Sequence, residues 1–186
     1  MRTIAAGLFI SLDGVVQDPA DWHFPYFDDA MGAAVEAQMA DTLILGRVTY
    51  DSFAGAWPER EAEGGEDAGF AKALGDARKI IVSRQPLEFT WRNCELLQGD
   101  LVEAVTALKR EEGGRIAISG SVSVVRQLLE AGLLDELHLL VHPIAIRKGE
   151  RLFDEGSPIP LELASSETFP TGVLNLVYRP AARNEP

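Results

Sequence analysis

The chain has 186 residues, a length that suits one domain, and 46% hydrophobic with 25% charged residues excludes a disordered or fibrous protein. Its net charge of −12 at pH 7 works against binding to a phosphate backbone, so no nucleic acid partner is expected. No apolar run approaches the roughly 20 residues that cross a bilayer, and no signal-peptide pattern is present, so we expect no membrane partner and a cytoplasmic protein.

Apolar periodicity divides the chain into alternating strands and helices. In chain order we predict a strand at 3–10, a helix at 28–40, a strand at 42–45, a helix at 46–53, strands at 79–83 and 94–98, a helix after Asp100, a strand at 115–119, a helix from Val122 to a stop at Gly132, and strands at 136–143, 161–169 and 173–179. Asp100 is the expected N-cap of its helix. These elements predict a single α/β domain over 1–186, with about 2–179 as its ordered core. Its sheet should be mainly parallel, with helices on both faces and an antiparallel C-terminal hairpin.

One internal segment differs in composition from the rest. Residues 59–69 are rich in Glu and Gly and nearly devoid of large apolar side chains. Because such a segment contributes little to a core, we predict an exposed acidic loop there.

The strand at 42–45 runs into a helix through Gly46-Arg47-Val48-Thr49. Gly46 permits a close backbone approach, and Arg47 offers a charged donor for phosphate oxygens. The Thr49 hydroxyl can cap the helix or bond the same phosphate. The plainer alternative is a tight turn at Gly46 with Arg47 as a surface ion-pair partner.

A second turn of the same kind is Ser119-Gly120-Ser121, between the strand at 115–119 and the next helix. A small-residue turn leaves backbone N–H groups free to cradle an anion, although it can also be a tight turn without a ligand. In open α/β sheets, ligands bind outside the carboxyl ends of strands, at helix N-termini. Two such turns therefore suit a pyrophosphate.

Three motifs in this order resemble the dihydrofolate reductase family. They are Leu45-Gly46-Arg47-Val48-Thr49-Tyr50-Asp51-Ser52-Phe53, Ile80-Ile81-Val82-Ser83-Arg84 and Ile116-Ala117-Ile118-Ser119-Gly120-Ser121. Three further motifs resemble the branch related to the reductase domain of bifunctional riboflavin-biosynthesis proteins: Ser11-Leu12-Asp13-Gly14, Gly132-Leu133-Leu134-Asp135-Glu136-Leu137 and Gly149-Glu150-Arg151-Leu152-Phe153. The resemblance spans residues 2–178 and implies the three-layer fold of that family.

The resemblance implies NADPH as the cofactor. The residues that it places around the pyrophosphate are Gly46, Arg47, Thr49, Ser119, Gly120 and Ser121, with Ser83 and Arg84 near the adenosine ribose. An Arg at position 84 can pair with a 2′-phosphate, which favours NADPH over NADH; the alternative is an exposed side chain that pairs with Glu88 or with solvent. The chain departs from the family at Ser119, where the usual turn has Gly.

Two carboxylates are candidate catalytic groups. Reduction of a C=N bond needs a proton source besides the hydride, and in the folate enzymes a carboxylate on the helix before the Gly-Arg-x-Thr motif serves that role. Asp29 is nearest to that position, with Asp28 beside it, although both also suit a helix N-terminus. Asp13 is the other candidate, and its alternative role is to form the turn before Gly14.

The aromatic residues Trp22, Phe24 and Tyr26 lie between these acids in the sequence. Such a segment can line a pocket for a substrate ring, or it can cover the core.

No metal site is expected. His138 and His142 are four apart, but in a strand that spacing separates them by about 13 Å. The lone Cys94 forms no internal disulfide, and packing is its expected role.

The resemblance implies an NADPH-dependent reductase of a small heterocycle, of the pterin or riboflavin-precursor pyrimidine type. A riboflavin precursor carries a sugar phosphate, and the basic residues left to bind it are Arg147, Lys148 and Arg151, which also suit a surface turn. The alternative function is a non-catalytic nucleotide-binding module with the same fold. A homodimer formed through the strand-rich C-terminal third is a further expectation from the family.

Overall fold

The computed structural model describes residues 1–153 and 156–181. Eight strands form one sheet: β1 (Ile4–Ser11), β2 (Thr42–Gly46), β3 (Arg78–Val82), β4 (Cys94–Leu96), β5 (Ile116–Ser119), β6 (Glu136–His142), β7 (Leu161–Thr168) and β8 (Leu174–Pro180). The α-helices are α1 (Asp29–Glu36), α2 (Arg47–Glu63), α3 (Ala68–Asp76), α4 (Leu101–Leu108) and α5 (Val122–Glu130), and two 3-10 helices, Pro19–Asp21 and Phe24–Tyr26, precede α1. None of the helices described here has both the length and the apolar character needed to cross a membrane.

The sheet has the order β4-β3-β2-β5-β1-β6-β8-β7. The pairs from β4 to β6 are parallel, whereas β8 is antiparallel to both β6 and β7. This arrangement confirms the predicted mainly parallel sheet with an antiparallel C-terminal hairpin. Since the six strands from β4 to β6 in this order all point the same way, their carboxyl ends meet at one edge of the sheet.

Capping side chains fix where the helices begin. Asp100 accepts the N–H groups of Val102 and Glu103 at the start of α4, as predicted. Asp28 caps α1 in the same way by accepting the N–H of Met31 at 2.9 Å. Gly132, with φ of 67°, follows the end of α5, which confirms its role as a stop.

The two faces of the sheet carry separate apolar clusters. On one face α4 and α5 cover the sheet with residues such as Val105 and Val125. On the other face α2 and α3 cover β2 and β3, while Met31 of α1 packs with Leu140 of β6. The helices therefore form the outer two of three layers.

The predicted loop at 59–69 is wrong in part, because α2 continues through Glu63 and α3 follows soon after. Ala, Glu and Arg are strong helix formers, which outweighs the lack of large apolar groups. The Trp57 ring anchors this helix against Phe70 of α3 at 5.2 Å between centroids, and Arg60 lies over the same indole. Most of the segment is nevertheless exposed, as predicted.

The predicted helix at 28–40 is shorter in the structure and ends at Glu36. The N–H of Gln38 donates to the carbonyl of Val35, three residues back, and Met39 does the same to Glu36. These tighter bonds end the α-helix and turn the chain across the sheet toward β2.

Candidate functional site

The two small-residue turns lie side by side at the carboxyl edge of the sheet. Gly46 is the last residue of β2 and Ser119 the last of β5, and these strands are neighbours. Each strand leads directly into a helix, α2 and α5 respectively. The structure therefore brings together the turns that the sequence analysis proposed as a single site.

Side-chain hydroxyls lock the two turns to each other. The Gly46 N–H donates to Ser121 Oγ at 2.8 Å, and the Ser121 N–H donates to Thr49 Oγ1 at 3.1 Å. The two hydroxyl oxygens, Ser121 Oγ and Thr49 Oγ1, are also 3.1 Å apart. Both hydroxyls thus fix the shape of the site. A ligand that binds either one shares it with the hydrogen bonds between the two turns.

The second turn depends on glycine at position 120. Gly120 has φ of 58°, and a Cβ built there would stand 3.4 Å from Thr49 Oγ1. Any side chain would be strained and would fill the space between the two turns. Ser119 is half-buried, and its carbonyl accepts a bond from Ser121 Oγ.

The remaining donors at this site are backbone amides. The first amides of α2 and of α5 have no acceptor inside their own helices, and both helix dipoles present their positive ends here. Arg47, at the start of α2, is exposed and pairs with Asp51 at 3.1 Å. An exposed pair of this kind is worth at most about 1 kcal/mol, so Arg47 can exchange Asp51 for an anionic ligand at little cost.

Ser83 and Arg84 follow β3, whose last residue pairs with Gly46. Ser83 Oγ accepts the N–H of Gln85 and donates to the carbonyl of the same residue, which closes a tight turn. Arg84 is exposed and forms no ion pair within 1–153 and 156–181, so the pairing with Glu88 is absent and the side chain faces solvent, as the other part of that alternative predicted.

Asp13 holds a neighbouring loop instead of standing free. Its carboxylate accepts the N–H groups of Ile146 at 2.9 Å and Arg147 at 2.8 Å, and the Ser11 hydroxyl at 2.7 Å. The Ser11 hydrogen bond, with those two backbone N–H groups, lowers the pKa of Asp13 to about 2. Because these three hydrogen bonds occupy the carboxylate, they argue against Asp13 as a proton donor. Arg151 also donates to the Asp13 carbonyl at 3.1 Å.

Asp29 is exposed at the first position of α1, and its carboxylate has no partner in the described part of the chain. Its neighbour Asp28 is the N-cap, with one oxygen bonded to Met31 N–H. The other Asp28 oxygen is buried and finds no partner among the described residues. Both acids lie at the N-terminus of α1, which was the alternative to a catalytic role.

The aromatic segment is divided between core and surface. Trp22 is only 7% exposed, and its indole N–H donates to the Gln17 carbonyl at 3.1 Å. It is therefore a core residue and does not line an open substrate pocket. Tyr26 is half-buried, whereas Phe24 is 59% exposed. Phe24, together with the exposed Phe27, offers ring surface to a ligand.

Two buried histidines in this region were not predicted. The rings of His23 and His142 lie 6.3 Å apart between centroids, and Phe9 packs against both. Nδ1 of His142 donates to the Leu140 carbonyl, while its Nε2 and Nδ1 of His23 are buried without a partner in the described chain. Burial, followed by repulsion from His142, lowers the pKa of His23 to about 4. No sequence signal marks this pair, because the two residues come from a loop and a strand far apart in the chain.

Two surface cavities, of about 340 Å³ and 510 Å³, lie away from these turns. One is lined by residues at the starts of β3 and β4, the other by residues at the start of β6 and the end of β8. Both are therefore at the amino edge of the sheet, opposite the candidate site.

Comparison with known proteins agrees with the fold and the motifs. Residues 2–175 match the family described as RibD C-terminal domain. A protein named YyaP from Bacillus subtilis (strain 168), described as uncharacterized, is 28% identical over 181 residues, covering 95% of this chain and 94% of that protein.

Two solved structures share the fold. One, from Shewanella sp. PV-4, is named for riboflavin biosynthesis; it has a TM-score of 0.71 and 20% identity, covering 96% of this chain and 99% of that one. The other is a pyrimidine reductase-like protein from Corynebacterium diphtheriae, with a TM-score of 0.67 and 19% identity, covering 97% of this chain and 92% of that one. The resemblance to the riboflavin-biosynthesis branch is confirmed by the family match, which spans nearly the whole chain. This protein belongs to the RibD C-terminal domain family.

Proposed function

We propose that this protein is an NADPH-dependent reductase of a small heterocycle, of the pterin or riboflavin-precursor pyrimidine type. The observation that carries the proposal is the meeting of two helix N-termini, those of α2 and α5, at the carboxyl edge of the sheet. Membership of the RibD C-terminal domain family and the reductase-like name of one structural neighbour support the same function.

The residues at the two turns suit a dinucleotide. Gly120 leaves a space that a Cβ would fill, and the donors around that space are backbone amides of two helix starts, which bind diphosphate oxygens well. Gly46, Thr49 and the 119–121 turn would hold the pyrophosphate, with Arg47 as a charged donor. The nicotinamide, when bound, supplies the hydride.

Arg84 is the residue that would distinguish NADPH from NADH. It is exposed, follows the strand next to Gly46, and has no carboxylate partner in the described chain. A guanidinium free of other ion pairs is well suited to a 2′-phosphate.

The proton for the reduced nitrogen needs a separate source. The contacts of Asp13 commit its carboxylate to the 146–147 amides, so we assign the proton to the start of α1, where Asp29 is exposed to solvent and can order a water. The exposed rings of Phe24 and Phe27, with the half-buried Tyr26, would hold the flat substrate nearby.

Calorimetric titration of the wild-type protein with NADPH and with NADH tests this function. We expect micromolar binding of NADPH, a Kd raised at least tenfold by Arg47→Ala, and a Kd raised for NADPH but not for NADH by Arg84→Ala. Arg110→Ala, an exposed arginine just after α4, is the matched control and should bind as the wild type does. A wild-type protein that binds neither nucleotide would contradict the proposal.

One observation favours the alternative function, a non-catalytic nucleotide-binding module: the carboxylate of Asp13 is fully engaged in structural hydrogen bonds. The two functions differ in turnover. Oxidation of NADPH in the presence of dihydropteridine or aminopyrimidine substrates, lost in Asp29→Asn while NADPH binding persists, supports the reductase. Tight NADPH binding without any turnover supports the module.

A further inference from the structure

Gln38 occupies the space where a side chain at position 7 would lie. Gly7 is in the middle of β1, and a Cβ built on it would stand 1.9 Å from Gln38 Oε1 and 3.1 Å from Gln38 Cδ. The Gln38 side chain, which follows α1, therefore reaches over β1 at this point. Glycine at position 7 is what leaves room for the amide.

This position is next to the proposed cofactor turn. Gly7 pairs with Ser119 on one side and with His138 on the other, and paired residues of neighbouring parallel strands point to the same face. The Gln38 amide therefore covers the strand position whose neighbours on the two adjacent strands are Ser119 and His138. The Gly120 N–H donates to the Gly7 carbonyl at 3.2 Å, so the strand position that the Gln38 amide covers is bonded directly to the proposed cofactor turn.

The polar groups on this strip differ in how they are engaged. His138 Nε2 bonds to the carboxylate of Glu136 at 3.1 Å. The Gln38 amide and the Ser119 hydroxyl form no hydrogen bond with any residue in 1–153 or 156–181, although both residues are half-buried. The polar atoms of the Gln38 amide are not among the buried atoms that lack a partner, so water reaches this amide and a ligand can replace that water.

An amide presents an N–H donor beside a carbonyl acceptor. The matching group on a ligand is another such pair, which is found in a carboxamide and in a lactam. We propose that the Gln38 side chain binds the carboxamide or lactam edge of the ring that enters this cleft. The inference rests on the proposed function, in which the nicotinamide carries a carboxamide and a pyrimidinedione substrate carries a lactam.

Two substitutions remove the amide from this place by different routes. Gln38→Ala deletes it, while Gly7→Ala displaces it with a methyl group; the far end of a glutamine side chain can move, so the fold should persist, which thermal unfolding checks. If the amide binds the nicotinamide, each should raise the calorimetric Kd for NADPH about tenfold, the effect of losing two neutral hydrogen bonds. Combining them should raise it no further. Gln127→Ala on α5, at the opposite face of the sheet, is the matched control.

Ligand analogues identify which ring is bound. If Gln38 binds the nicotinamide, the wild type should bind NADPH more tightly than the reduced acetylpyridine analogue, which lacks the amide N–H, and Gln38→Ala should bind both alike. If it binds the substrate, NADPH affinity should stay unchanged, and binding of diaminouracil to the NADP⁺ complex should weaken about tenfold in Gln38→Ala. Equal affinities of wild type and Gln38→Ala for all three ligands would overturn this inference alone, as would additive losses in the combined variant. Failure of the wild type to bind NADPH would overturn the proposed function and the inference with it.

Discussion

Asp13 belongs to a recognisable motif, but its carboxylate acts on the site indirectly, by holding a neighbouring loop. Its two carboxylate oxygens accept the N–H groups of Ile146 and Arg147, which lie in the loop between β6 and β7. Arg147 has φ of 66°, a conformation that an L-residue adopts only when its surroundings hold it there. The motif at 11–14 therefore positions the loop that borders the carboxyl edge of the sheet.

Replacing Asp13 with Asn should release this loop. Asn keeps one acceptor oxygen but turns a donor toward the second backbone N–H, so amide hydrogen exchange at Ile146 and Arg147 should accelerate about tenfold or more. Because the folded-state pKa is lowered to about 2, the contribution of this carboxylate is present above pH 3.8 and is lost only as the pH falls through about 2.

Asp29→Asn is the matched control, since its carboxylate has no partner in the described chain. Exchange at Ile146 and Arg147 should be unchanged in it. Unaltered exchange in Asp13→Asn would show that the loop is held by other contacts.

At the scale of elements, the aromatic segment that contains both 3-10 helices is anchored by the buried pair His23 and His142. Both rings lie within aromatic contact distance of Phe9, and His142 also faces Trp22 and Tyr26 edge-on. Burial is the main cause that lowers the pKa of each histidine, to about 4 for His23. The segment therefore packs well only while both imidazoles are neutral.

This burial should make the segment sensitive to acid. An unfolded histidine takes up its proton near pH 6.5, whereas folded His23 does so near pH 4, so the unfolded state binds more protons between these values. The free energy of unfolding should therefore fall as pH drops through that window, by about 3 kcal/mol from His23. Urea denaturation across this range measures the loss.

His23→Phe should keep the ring packing and remove most of this pH dependence, relative to the wild type. His138→Gln is the control, because it also removes an imidazole, but one outside this aromatic cluster, and it should keep the loss that comes from His23. The same slope in His23→Phe and wild type would assign the acid sensitivity to other groups.

Elements and their order were largely predictable, because each buried strand is a short apolar run that ends at a small-residue turn. The extension of α2 and the existence of α3 were missed: the segment is rich in strong helix formers, but the packing of Trp57 with Phe70 that supports both helices is a tertiary contact. The meeting of the two turns could be predicted, but the bonds between Thr49 and Ser121 join residues 72 apart and need the fold to be known. Gln38, His23 and His142 belong to no sequence motif, so their places in the structure could not be predicted.

At the scale of the whole molecule, the last strand of the sheet is not covered by any residue that the structure describes. Every residue of β7 from Glu162 to Thr168 is exposed, and Leu163 is 54% exposed. One edge of β7 pairs with β8, and no described strand pairs with the other. A long, unpaired edge strand with an exposed leucine is a template for strand pairing, so we propose that two copies of this chain pair through β7 about a two-fold axis.

Pairing through β7 predicts a dimer in solution whose stability depends on the net charge of the chain. Sedimentation velocity at micromolar concentration should show a dimer, and Leu163→Asp, which adds a charge beside Glu162 and Glu167, should yield monomers with an unchanged circular dichroism spectrum. Val102→Asp, at an exposed apolar position of α4, should remain dimeric. Because each copy carries a net charge of −12, the copies repel one another, and added salt should strengthen the dimer by screening that repulsion. A wild-type protein that sediments as a monomer at both low and high salt would contradict this assembly.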